Sequence, residues 1–278
     1  MKKMSDKKVP VLKKLTEDGI FDTEKEARAF LMAGEVYWGD TRLRAGMKIP
    51  EDAAVTVRGR ETPFAGKGGF KLTGALKDFC LSPEGRVCID AGASTGGFTD
   101  CLIQNGARLV YAVDVGYGQL TGKLRQDPRV VNCEKTNISD EKLLSLSPRP
   151  TLGTVDVSYL SLRKAVPYFQ RILHGEGDLC CLVKPLFEID DAEARRTGVI
   201  AEDRYHPLLR DLVRDLDALP GVTCVRVTNS PITGNAGTRE FFIHAVLGAA
   251  DAPAPAELER QIGEAVEKAA ALEPYRKK

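Results

Sequence analysis

The sequence predicts an α/β protein: a doubly wound, Rossmann-like sheet, parallel with an antiparallel last strand, behind a small α+β N-terminal module. Three observations predict it. Between residues 87 and 247, short apolar runs alternate with helical periodicity, as in a sheet covered on both faces. The last two strands, Val222–Thr228 and Glu240–Leu247, are separated only by Asn229–Arg239, with no helix to carry a parallel crossover. The charge also changes along the chain. Residues 1–77 carry 16 Lys+Arg against 11 Asp+Glu, whereas residues 78–278 carry 24 against 28. Residues 61–70, Glu-Thr-Pro-Phe-Ala-Gly-Lys-Gly-Gly-Phe, read as a linker between a module at 1–60 and a domain at 71–278.

The elements follow in order. Val11–Asp18 has helical spacing and ends at Gly19. Asp22 or Thr23 caps a second helix, Thr23–Ala33, which places Ala27, Phe30 and Leu31 on one face and stops at Gly34. Short strands follow at Glu35–Trp38, Thr41–Arg44 and Ala54–Arg58, with a turn at Gly39-Asp40. In the second part, strands are expected at Val87–Asp90, Leu109–Val115, Arg129–Cys133, Leu152–Val157 and Asp178–Val183, before the final pair. Helices are expected at Thr95–Asn105, about 162–173, Arg204–Ala218 and Glu257–Leu272.

Composition narrows the function. At 43% hydrophobic and 28% charged residues, the 278-residue chain is ordinary globular protein. Apolar runs such as Leu179–Val183 are too short for a bilayer, and no apolar stretch follows the basic N-terminus, so a cytoplasmic protein without membrane contact is expected. Seven cysteines without framework spacing read as reduced, buried thiols. Three histidines and no zinc spacing give no reason to expect a metal. The basic front suggests a polyanionic partner.

The sharpest motif is Asp90-Ala-Gly92-Ala-Ser94-Thr95-Gly96-Gly97-Phe98-Thr99, between the first strand of the sheet and a helix. In such folds the ligand lies outside the carboxyl ends of the strands, where glycines allow close backbone approach. The next strand ends in Asp114, which suits ribose hydroxyls. NAD and S-adenosylmethionine both use such a site. A dinucleotide wants glycine where Ser94 stands, and Asp90 at the mouth would repel phosphate. S-adenosylmethionine carries an ammonium and a sulfonium but no phosphate, so the loop favours it. The third strand leads to Asn137, placed to bond an adenine ring or to serve as a turn residue.

Other strand ends carry charge. One strand stops at Lys184 before Pro185, where a lysine at a buried edge must pair or deprotonate. Asp156 follows the fourth strand, Glu240 opens the last, and Lys71 precedes the sheet. In this order the four resemble the Lys-Asp-Lys-Glu tetrad of the FtsJ-like ribose 2'-O-methyltransferases. The front module, with Thr23, Ala27-Arg28, Phe30-Leu31, Ala33-Gly34, Val36 and Gly39-Asp40, resembles the RNA-binding module of ribosomal protein S-four. It departs from that pattern where Val11-Leu12-Lys13-Lys14 replaces an opening arginine. Together with Asp156-Val-Ser-Tyr159, Val183-Lys-Pro185 and Ser230-Pro-Ile, the chain up to about residue 248 resembles the TlyA family, often labelled haemolysin, which methylates cytidine ribose in ribosomal RNA.

The resemblance implies an S-adenosylmethionine-dependent methyltransferase sheet acting on ribosomal RNA or ribosomal subunits. Lys184 would be the general base, depressed by the like charge of Lys71; Asp156 would orient Lys184, and Glu240 would orient Lys71 or the ribose. Residues Asp90, Gly92, Ser94, Thr95, Gly96, Gly97, Phe98, Thr99, Asp114 and Asn137 would hold the cofactor. Lys13, Lys14, Lys25, Arg28, Arg42 and Arg44 would contact RNA phosphates. A base methyltransferase would need a nucleophilic cysteine or a Pro-Pro-aromatic turn after the fourth strand, where Val157-Ser158-Tyr159 stands. A catalytically silent RNA-binding protein and a haemolysin-type protein are the remaining alternatives.

Overall fold

The computed structural model describes residues 7–18, 20–21, 23–57, 63–158, 160–234 and 237–273. The N-terminal module contains β1 (Lys8–Pro10), α1 (Val11–Glu17), α2 (Glu24–Ala33), β2 (Val36–Trp38), β3 (Thr41–Arg42), β4 (Lys48–Pro50) and β5 (Val55–Val57). Helix α2 starts where Thr23 Oγ1 accepts the Glu26 N–H at 3.2 Å, and it ends at Gly34. The expected positions Gly19, Asp22 and Arg58 lie outside the described residues. Strands β2, β3 and β5 form an antiparallel sheet. The β1–β4 pair was not legible, because each strand is three residues long and contains a proline. Val11, Leu15, Phe21, Leu43 and Ile49 make a small core belonging to the module itself.

The second part opens with α3 (Gly68–Phe79), which sequence reasoning did not predict. It corrects the linker, since Gly68–Phe70 are the first turn of this helix. Gly69 serves close packing there: a Cβ on it would come within 2.2 Å of the Phe64 ring. The remaining elements are β6 (Val87–Ala91), α4 (Gly97–Gln104), β7 (Leu109–Asp114), α5 (Gly122–Gln126), β8 (Val130–Glu134), a 3-10 turn (Glu141–Ser145), β9 (Leu152–Val155), α6 (Leu162–Ile172), β10 (Gly177–Val183), α7 (Pro185–Glu188), α8 (Ala192–Thr197), α9 (Glu202–Asp217), β11 (Val222–Asn229), β12 (Phe241–Leu247) and α10 (Pro255–Ala270).

Seven strands form one sheet in the order β11-β12-β10-β9-β6-β7-β8. The five strands from β6 to β10 pair in parallel, and β12 runs antiparallel between β10 and β11. Alternate residues of β6 feed two cores, as the pleat requires. Val87, Ile89 and Ala91 pack with residues of α6, α9 and α10, while Cys88 packs with residues of α3 and α4. Five of the seven cysteines are buried, Cys133 is half-buried and Cys80 is exposed. Among the described residues, no helix is long and apolar enough to cross a membrane.

Candidate active site

Strand order gathers four charged side chains at one edge of the sheet. Asp156 follows β9 and Lys184 follows β10. Glu240 immediately precedes β12, whose antiparallel register sets Phe241 opposite Val183, so Glu240 arrives at the same edge as Lys184. Helix α3 supplies Lys71, whose Nζ lies 2.5 Å from Glu240 Oε2, with both side chains only 7% exposed. Lys184 Nζ lies 2.6 Å from Asp156 Oδ1 and donates to Ser158 Oγ at 3.1 Å. This second pair is shallower, with side chains 20% and 21% exposed. Each lysine therefore has a carboxylate as its close partner. Ser158 was missed; its place two residues beyond Asp156 was the available signal.

The cofactor loop is bonded into the sheet. The N–H groups of Gly92 and Ala93 both donate to the Val113 carbonyl, at 2.9 and 3.1 Å, and Gly96 N–H donates to Ala93 O at 2.7 Å. Asp114 takes the Ser94 N–H on Oδ2 at 2.8 Å and the Gly116 N–H on Oδ1 at 2.6 Å. Ser94 is exposed and Thr95 half-buried beside the rim that Asp114 forms.

Two expectations for this region are corrected. Asp90 does not stand at the mouth: it is fully buried, accepting the hydroxyls of Thr99 at 2.6 Å and Thr154 at 2.9 Å. Strand alternation turns it inward, toward α4. Burial pushes its carboxyl up to about 7, the neighbouring Asp156 adds to the rise, and the two hydroxyls oppose it. Gly97, Phe98 and Thr99 are buried in the first turn of α4 and serve packing rather than the rim. Asn137 is exposed and closes its own turn, with Oδ1 accepting the N–H and the hydroxyl of Ser139 at 3.0 Å each.

A third correction falls in the N-terminal module. Lys14 is 6% exposed, pairs with Asp18 at 2.7 Å and donates to Glu51 O at 2.5 Å, so it braces the module and presents no charge outward. Lys13, Lys25, Arg28, Arg42 and Arg44 are exposed. Arg42 and Arg44 line a surface depression with Leu31, Met32 and Ala45.

Residues 64–247 match the FtsJ-like methyltransferase family. The chain is 35% identical over 236 residues to the 16S/23S rRNA (cytidine-2'-O)-methyltransferase TlyA of Mycobacterium tuberculosis, covering 82% of this chain and 86% of TlyA. It is 40% identical over 232 residues to YqxC of Bacillus subtilis, which carries an rRNA methyltransferase label, covering 83% of each. A solved structure from Streptococcus thermophilus that carries a haemolysin label superposes with a TM-score of 0.73 at 34% identity, over 94% of this chain and 96% of that one.

Proposed function

The chain belongs to the FtsJ-like methyltransferase family, and from that premise we propose that it transfers the methyl group of S-adenosylmethionine to the 2'-hydroxyl of a cytidine ribose in ribosomal RNA. The observation that carries this reading is the Lys184–Asp156 pair set beside the Lys71–Glu240 pair at the strand ends that adjoin the cofactor loop. The nucleotide and the RNA follow the relative TlyA, whose name specifies both. The reaction belongs to the cytoplasm, where ribosomes are.

The loop suits S-adenosylmethionine better than a dinucleotide. A pyrophosphate needs free backbone donors, and the N–H groups of Gly92, Ala93, Ser94 and Gly96 are already bonded to protein acceptors. Asp114 at the rim retains lone pairs for ribose hydroxyls. Gly92, Ser94, Thr95 and Asp114 are the residues that would hold the cofactor, which supplies a methyl group already activated on a sulfonium.

The protein's own work is to align the ribose and remove one proton. Lys184 is the more accessible lysine, and Asp156 and Ser158 fix its Nζ from two sides. Lys184 takes the 2'-hydroxyl proton as that oxygen bonds to the methyl carbon and S-adenosylhomocysteine leaves. Lys71, held by Glu240, is a charged floor for the nucleotide. The module at 1–60 grips flanking RNA through its exposed lysines and arginines. The test is transfer of isotope-labelled methyl from S-adenosylmethionine to unmodified ribosomal subunits, with the product mapped by mass spectrometry. Label on a cytidine 2'-oxygen is expected; label on a base, or none, overturns the reading.

A further inference from the structure

The loop that follows β7 folds back over the cofactor loop and is anchored from three sides. Glu134, at the end of β8, accepts the N–H groups of Gln119 at 2.9 Å and Leu120 at 3.2 Å, and its carboxylate is gripped by Arg125 at 2.7 and 2.8 Å. Thr121 N–H donates to Thr95 O at 3.2 Å. Ser94 Oγ donates to Gln119 Oε1 at 3.1 Å. The Gln119 side chain is thus aimed across the rim, although the residue is exposed. A Cβ placed on Gly116 would lie 2.3 Å from Gln119 Nε2 and 3.0 Å from Asp114 Oδ1, so the amide nitrogen packs against Gly116 beside the Asp114 carboxylate.

We infer that Gln119 is a cofactor-recognition residue whose Nε2 donates to a ribose hydroxyl that Asp114 engages from the other side. The argument is one of donor balance. A ribose hydroxyl both donates and accepts, whereas a carboxylate only accepts. Asp114 alone would leave the lone pairs of the hydroxyl oxygens to water. Gln119 brings its amide donors beside the Asp114 carboxylate, and its oxygen is already spoken for by Ser94, which leaves the nitrogen for the ligand. Glu134 and Arg125 fix the backbone from which it reaches, so little ordering remains when the ligand arrives. Sequence reasoning passed over Gln119 because a glutamine in a loop carries no motif; only the fold-back sets it beside Asp114.

The inference rests on the S-adenosylmethionine reading, and calorimetry separates the two. The probes are S-adenosylhomocysteine and its 2',3'-dideoxy counterpart, titrated into the full chain and into Gln119→Ala and Gln119→Glu. Gln119→Ala is expected to weaken S-adenosylhomocysteine about tenfold, the worth of one hydrogen bond, while leaving the dideoxy ligand unchanged. Gln119→Glu keeps the length and an oxygen for Ser94 but removes the donors beside a second carboxylate, so it is expected to weaken S-adenosylhomocysteine further. If both ligands lose equally in Gln119→Ala, the residue only shapes the loop and the inference is overturned. No change in either variant overturns it as well. Failure of the unaltered chain to bind S-adenosylhomocysteine removes the cofactor reading and this inference with it.

Discussion

Lys184 and Asp90 are two ionisable groups in different surroundings, one partly exposed and one fully buried, and each gives a test. Lys184 sits 2.6 Å from Asp156 with a fifth of its side chain exposed, so it can reach an incoming ribose without unfolding anything. Lys184→Ala is expected to abolish methyl transfer while calorimetric affinity for S-adenosylhomocysteine and the melting temperature stay close to the unaltered protein. Lys184→Arg keeps the charge and cannot rescue the reaction, because guanidinium does not give up its proton. Near-normal single-turnover rates in the arginine variant would reduce Lys184 to a fixed charge. The same logic cannot be applied to Glu240, since its loss strands a 7% exposed Lys71 at a cost of about 3–5 kcal/mol. Asp90 is a matter of stability. Its carboxyl is raised to about 7 by burial, from an unfolded value of about 3.9. The folded state therefore holds a proton that the unfolded chain releases, so the contribution is full below about pH 4 and is lost as pH rises to about 7. Asp90→Asn stays neutral throughout. The difference in denaturant stability, unaltered protein minus variant, is expected to fall across pH 4–7 and level off above it; a flat difference would mean that Asp90 does not titrate there.

Among the elements, the turn after β6 does most to join the cofactor loop to the catalytic edge. Gly92 has φ +85°, and a Cβ on it would lie 2.3 Å from the Asp156 carbonyl oxygen. Gly92→Ala thus combines a left-handed backbone, worth about 1–2 kcal/mol, with a clash against the strand end that carries Asp156. A lower melting temperature together with a loss of methyl transfer is expected, and an unchanged kcat would show that the strand end yields without moving Asp156. This turn was legible in the sequence because glycine beside a strand end announces close approach. The strands of the sheet were legible for a related reason: buried on both faces, they read as apolar runs. Helix α3 was not legible, because Gly68-Gly69 reads as a flexible joint when the ring of Phe64 that demands small residues is out of view. Asp90 misled in the same way. A carboxylate in a glycine-rich motif reads as a ligand contact, and only the pleat of β6 with the hydroxyls of Thr99 and Thr154 shows that it faces inward. The resemblance to the tetrad implied which carboxylate orients which lysine, while the division into a deep and a shallow pair needed the antiparallel register of β12.

At the scale of the whole molecule, the charge asymmetry of the chain becomes a prediction about salt. The N-terminal module has its own core, so its exposed lysines and arginines can be changed without disturbing the sheet. Each phosphate contact releases bound counterions, and losing one flattens the slope of log affinity against log salt by roughly 0.7–0.9. In the full chain, alanine at Lys25, Arg42 and Arg44 together is expected to weaken RNA binding and to flatten that slope by up to about 2.7 units, with cofactor affinity unchanged. Arg28 should contribute less, because Glu24 lies 3.6 Å from its guanidinium and competes for it. Lys14 is the internal control. It is basic and lies in the same module, but its ammonium is spent on Asp18 and on the Glu51 carbonyl. Lys14→Ala is therefore expected to lower the melting temperature of the module and to leave the salt slope of the folded protein intact. Filter binding at several salt concentrations, read beside thermal melts, separates the two behaviours. If the triple variant keeps the original slope, the basic front is a solvated surface, and the RNA must be gripped by the methyltransferase domain alone.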